Sequence, residues 1–304
     1  NSIQSGGNYN VVVGDEAGTA LTTGDSNVAI GFKALFTEDA HGANIAIGDS
    51  ALRNLNAGAN GFNTAVGNEA GTSVTTGLQN TLIGARAGDA LTDADFNVAM
   101  GMEALTTDTL GSKATAIGFQ ALKTQNFTTA TDSFNTAMGY FAGQAVTTGI
   151  KNVIVGGQAA DALTTGSYNV AIGDFALSTD DVGSRSVAVG ANALFAQNYA
   201  TATDGYNVAV GMNAGLSVTT GTANTFVGGL AGDGTDDGTN NTAMGYLALS
   251  ANCGNDNTAI GKSSLQVATG GGNVAVGKDA GLSLTSGTLN TFVGGLAGDA
   301  LTTG

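Results

Sequence analysis

His41 is the only histidine in the chain, so a Ser-His-Asp or Cys-His nucleophilic system could be assembled within it nowhere else. No nucleophile or acid at a suggestive spacing marks it, and it reads as a loop histidine. Carboxylates are plentiful at turns, among them Asp89, Asp93, Asp95, Asp161, Asp180 and Asp181. Paired acids can hydrolyse glycosides, but a sugar-cleaving groove also needs aromatic platforms. The chain has no Trp and only 6% aromatic residues, so no catalysis is expected. The turn Gly232–Gly238 carries Asp233, Asp236 and Asp237, oxygen ligands on a glycine-rich bend of the kind that suits calcium. Equivalent turns at Asp89–Asp93 and Asp161–Thr165 do not repeat the cluster, and Asp and Gly are ordinary turn formers. No cofactor is therefore expected, with these three aspartates the calcium candidate. Cys253 stands alone and reads as a small packed residue.

The elements that must position these groups come from an internal repeat. A unit Asn-x-Ala-φ-Gly, where φ is Val, Ile or Met, closes at seventeen glycines, the first of them Gly14, Gly31, Gly48, Gly67 and Gly84. Eleven of the sixteen gaps between them are 17 residues, and the others are 16, 19 or 21. Asn stands four residues before the glycine in fifteen coils, including Asn27, Asn44, Asn63, Asn80, Asn97, Asn135, Asn152, Asn169 and Asn207; Ala114 and Ser186 are the exceptions. Alternation in Val-Ala-Ile predicts a short strand, with the φ residue and the residue after Asn on one face and Ala on the other. So narrow an Ala face belongs either in a thin interior or against another chain. Identical asparagines in stacked coils are expected to form a ladder along the axis. The closing glycines fit a sharp corner or a close backbone approach. Thr-Thr-Gly runs such as Thr22–Gly24 and Thr75–Gly77 read as a second short strand with its turn.

A slower rhythm overlies the coil. The residue four after the glycine runs as two Gly-type coils followed by two Leu-type coils, for example Gly71, Gly88, Leu105, Leu122. Val12, Leu82, Ile154, Phe226 and Phe292 interrupt the Ala column in the same phase, and the super-repeat is about 72 residues. Longer turns recur at one phase, around Asn56–Phe62, Asn126–Phe134 and Asn198–Tyr206. Phe127, Phe134, Tyr199 and Tyr206 flank two of them, either as repeated contacts for a receptor or glycan or as staples at the base of the turn.

A coil of this length cannot fold alone. Ordering it costs ~1–2 kcal/mol per residue, against ~1.5–3 kcal/mol for each of a few buried apolar side chains. Stacking resolves the deficit, because each coil bonds both neighbours and extends a shared core. The expected fold is all-β, a parallel β-solenoid or β-roll of about 17 coils with ~17 residues each, in one continuous repeat domain over residues 1–304 and ~80 Å long at the usual strand spacing. Both ends fall within a repeat and read as cut from something longer. A net charge of −15, with nine scattered Lys and Arg, excludes a phosphate-tracking surface, so no nucleic acid is expected. No apolar run approaches the length of a membrane span.

Asn27–Gly31 (N-V-A-I-G) and Ser186–Gly190 (S-V-A-V-G), each followed by x-x-Ala, resemble the head repeats of YadA-like trimeric adhesins. Asn241–Leu249 (N-T-A-M-G-Y-x-A-L) and Asn224–Gly232 (N-T-F-V-G-G-L-A-G) resemble repeat regions of phage tail fibres and tail spikes. The resemblance covers essentially the whole chain. It implies a left-handed β-roll and a homotrimer, and a structural fibre segment at a virion surface or otherwise extracellular. The receptor-binding tip would lie outside this stretch, with host-surface glycan or protein as partner. A bacterial cell-surface adhesin head or stalk is the alternative. An ice-binding solenoid is a further one, against which the mixing of Thr with Val and Ile in the column after Asn argues.

Overall fold

The computed structural model describes residues 6–304. Every regular element among them is β, and the chain winds as a parallel β-solenoid of about 17 turns. No helix is long and apolar enough to cross a membrane. The residues group into two compact units, Asn1–Lys151 and Asn152–Gly304. The first stacks Val11–Val13, Val28–Ile30, Ile45–Ile47, Thr64–Val66, Thr81–Ile83, Val98–Met100, Thr115–Ile117 and Thr136–Met138. The second stacks Val153–Val155, Val170–Ile172, Val187–Val189, Val208–Val210, Thr225–Val227, Thr242–Met244, Thr258–Ile260, Val274–Val276 and Thr291–Val293.

Pairing is parallel and in register, like residue on like: Ala29 opposite Ala46, Ala99 opposite Ala116, Ala171 opposite Ala188. The middle residue of each strand points inward, and Ala29, Ala46, Ala65 and Ala99 are fully buried. Of the two places open to the Ala column, it occupies the thin interior. The residues on either side of it point outward.

Three left-handed backbone positions bend each coil. One precedes the asparagine, as at Ser26 (φ 60°), and two follow the closing glycine, as at Lys33 (φ 54°) and Leu35 (φ 50°). Such a conformation costs a non-glycine residue ~1–2 kcal/mol. It turns the amides toward neighbouring coils, where Lys33 N–H donates to Asp15 C=O at 3.1 Å and Leu35 N–H to Ala51 C=O at 3.0 Å. The closing glycines Gly31, Gly48, Gly67 and Gly84 have φ of 129°, 137°, 142° and 132°. A Cβ on any of them would also overlap the backbone of the next closing glycine in the stack.

The four-coil rhythm is a packing alternation. Leu82 replaces Ala in its strand, and a Cβ on Gly71 or Gly88 would come within 2.7 or 2.8 Å of its methyl groups. In the second unit Phe226 occupies the same place, with Gly215 3.0 Å away by the same measure. Gly-type coils thus cede interior volume to one large strand residue. Leu-type coils fill that volume with Leu35, Leu52, Leu105 or Leu122, all fully buried, and keep Ala in the strand.

The Thr-Thr-Gly runs are not strands. Thr22 N–H and Thr23 N–H both donate to one carbonyl, that of Asp39, at 2.7 and 3.3 Å. A strand needs alternating partners, so these runs are bends tied coil to coil. Among the described residues a second ladder forms only beside two of the longer turns, where Gly111–Ser112 pairs with Thr131–Asp132 and Gly183–Ser184 with Thr203–Asp204.

Candidate functional site

The most extended surface feature is the outer face of the strand stack. In each unit the outward positions are filled by Val, Ile, Thr and Met alone, with no charged residue. Val98, Met100, Thr115, Ile117, Thr136 and Met138 follow one another in the first unit, and Val187, Val189, Val208, Val210, Thr225 and Val227 in the second. Exposed large side chains in the position after the closing glycine widen the face: Phe32, Met102 and Tyr140 in the first unit, Met212 and Tyr246 in the second. Phe119 and Tyr140 stack there, with ring centroids 5.4 Å apart. Natural sheets rarely leave so much flat, uncharged surface uncovered.

Beneath the face runs the asparagine ladder, with fully buried rungs at Asn27, Asn44, Asn80 and Asn97. Its main bond is not amide to amide. Each Oδ1 accepts the backbone N–H of the next rung, Asn80 Oδ1 from Asn97 N at 2.9 Å and Asn152 Oδ1 from Asn169 N at 2.9 Å. Each Nδ2 donates to a turn carbonyl, Asn80 to Ala94 at 2.7 Å, Asn135 to Gly149 at 2.7 Å and Asn207 to Gly221 at 2.8 Å. Asn63 closes on Gly77 and Asn169 on Gly183 in the same way. The amide therefore joins three otherwise stranded backbone segments. In the shortened coils this fails once, and Asn241 Nδ2 is buried without a partner.

Sequence reasoning missed how the two absent rungs are bridged. Where Ala114 replaces Asn, Gln125 Oε1 accepts from Asn135 Nδ2 at 2.8 Å, and Gln125 Nε2 donates to the buried Asp108 at 2.6 Å. Where Ser186 replaces it, Gln197 bonds Asn207 Nδ2 at 2.9 Å and Asp180 Oδ2 at 2.6 Å. Burial pushes the Asp180 carboxyl above its usual range, partly offset by the hydrogen bonds from Gln197 and the Gly183 amide. Asp and Gln stand seven residues after the closing glycine in consecutive Leu-type coils, a register visible in the alignment. Glu38 and Leu55 hold the corresponding places in the first Leu-type pair.

The other singled-out residues separate. Phe127 and Tyr199 are 6% and 4% exposed and staple the base of their turns, with Tyr199 Oη donating to Gly221 C=O at 3.0 Å. A contact role for that pair is thereby corrected, because their rings are inside. Phe134 and Tyr206 are 49% and 56% exposed. Lys113 lies 5.3 Å from the Phe134 ring, and Tyr206 Oη reaches Asp204 at 3.2 Å. The calcium candidates go to separate partners: Asp233 accepts from the Ser250 hydroxyl and Asp236 from the Thr219 hydroxyl. Asp236 lines a shallow open groove with Phe195, Leu216 and Asn252. The group of ligand atoms that does converge among the described residues is Glu38, Asp39 and His41, within 4.8 Å of one another. His41 therefore has acid partners after all, brought to it by a tight turn. No protein family and no curated protein matches the sequence.

Proposed function

We propose that the chain is a structural shaft segment of a virion or phage tail fibre. In this reading it assembles as a homotrimer through the outer strand faces and performs no catalysis. The observation that carries the reading is the uncharged Val/Ile/Thr/Met face in each unit. Covering such a face against copies of itself buries apolar area at every coil, worth ~25 cal/mol per Å². The acidic surface elsewhere, part of a net charge of −15, keeps the assembled fibre soluble. A bacterial surface adhesin uses the same face in the same way and differs in what is attached to it. The ice-binding alternative gains one observation, the in-register outward Thr and Val columns, but Met100, Met138 and Met244 roughen that face.

Sedimentation velocity tests the reading. A trimer at micromolar concentration is expected, dissociated by Val208→Lys together with Val210→Lys, whose side chains point outward and leave the interior intact. A stable monomer of the unmutated chain overturns it.

A further inference from the structure

We propose that Glu38, Asp39 and His41 form a binding site for a divalent first-row transition ion, with zinc as the test case. Glu38 is fully buried, and its oxygens accept the His41 amide at 3.1 Å and the Ala57 amide at 3.1 Å. In the corresponding places Asp108 and Asp180 each take an additional side-chain N–H from a glutamine, Gln125 or Gln197. Here Leu55 stands where that glutamine would be, so the buried carboxylate lacks that side-chain donor. A buried carboxylate is costly without full compensation. What faces it instead is His41 Nδ1, 3.4 Å from Glu38 Oε1, buried at the atom and without a hydrogen-bond partner.

Backbone bonds to other coils hold His41 and Asp39, and Glu38 is tied to the same turn by the His41 amide. Asn27 Nδ2 donates to the His41 carbonyl at 3.1 Å, tying that residue to the ladder. The Asp39 carbonyl accepts Thr22 N–H at 2.7 Å and the Thr22 hydroxyl at 2.9 Å. The donor atoms are thus pre-positioned, while the His41 side chain remains 30% exposed and gives an ion a way in. One imidazole nitrogen with two carboxylates suits borderline first-row ions; calcium prefers an all-oxygen shell. An ion would supply both the missing partner of Glu38 and the missing acceptor of the Nδ1 lone pair.

The experiment is calorimetric titration of the whole chain with Zn(II), paired with imidazole NMR. His41 is the only histidine, so its ring signals report this site alone. One ion per chain and a shift of the His41 resonances are expected. His41→Asn and Glu38→Gln should each weaken binding by about tenfold or more, with metal-free melting curves verifying the fold. If Glu38→Gln does not fold, His41→Asn, altering a partly exposed side chain, decides alone. Absence of binding at millimolar Zn(II), unchanged affinity in His41→Asn, or calcium displacing zinc at equal concentration overturns the proposal.

Discussion

If Gly-type and Leu-type coils are two solutions to filling one interior volume, a large side chain should be movable from the strand to the corner. Leu82→Ala removes the buried strand leucine and should cost about 2–5 kcal/mol, the range for a core Leu→Ala change. Gly88→Leu alone places a Cβ 2.8 Å from methyl groups of both Leu82 and Leu91. Overpacking costs about 1–3 kcal/mol, and leaving glycine at φ 56° adds ~1–2 kcal/mol. Independent effects would sum to about 4–10 kcal/mol. The double variant instead recreates a Leu-type coil, in which Leu52 and Leu55 already coexist, both fully buried. It should retain only the left-handed strain and imperfect repacking, about 1–3 kcal/mol. The expected coupling is therefore at least about 2 kcal/mol, well above the scatter for independent sites.

Repeat arrays open locally, so a global melt would blur this difference. Native-state hydrogen exchange at the Val74, Leu82 and Leu91 amides reads the local opening free energy. Additivity to within about 0.5 kcal/mol would refute the exchange of volume between strand and corner, and with it the packing account of the four-coil rhythm.

Two further outcomes follow from the interior. Asn80→Ala strands the Asn97 amide and the Ala94 carbonyl in a buried setting, which should cost about 2–6 kcal/mol at ~1–3 kcal/mol per orphaned group; urea midpoints of the variant check it. Burial raises the carboxyls of Asp89, Asp180 and Asp233 above their usual range, so the folded chain binds these protons more tightly than the unfolded chain. Stability should then rise as pH falls from neutral toward the ordinary carboxylate range near ~4. Melting temperature measured over that interval should show the rise, with Asp233→Asn removing part of it; a monotonic fall on acidification would contradict the assignment.

Coil length, rung positions and strand alternation were legible because each rests on a residue type with one job. Asn is used where a side chain must both accept and donate, and Gly31 and its counterparts where φ lies in the glycine region beside a neighbouring backbone. The Gly/Leu column was visible but its meaning was not, since Leu at φ near 50° is an unfavourable choice that only interior volume explains. The Thr-Thr-Gly runs misled because threonine favours strands, whereas here two amides share one carbonyl. The Asp–Gln bridges escaped notice because Asp108 and Asp180 look like ordinary turn aspartates until their depth is known.

The distribution of side chains inverts the usual order of a small domain. In most coils alanine fills the inward strand position, while Val, Ile, Thr and Met occupy the outward ones. An isolated sheet gains nothing from keeping Val, Ile and Met outside, because the outward positions could be polar at no cost to the ladder. Lys, Glu and Asp are absent from the outward positions of the main strand stack among the described residues, even though the chain carries 24 acidic residues elsewhere. Solubility alone would favour charges there. In the fibre reading proposed above, a face kept free of charge against that pressure, coil after coil, is covered by a partner surface of matching repeat. A copy of the same chain supplies one without further specification.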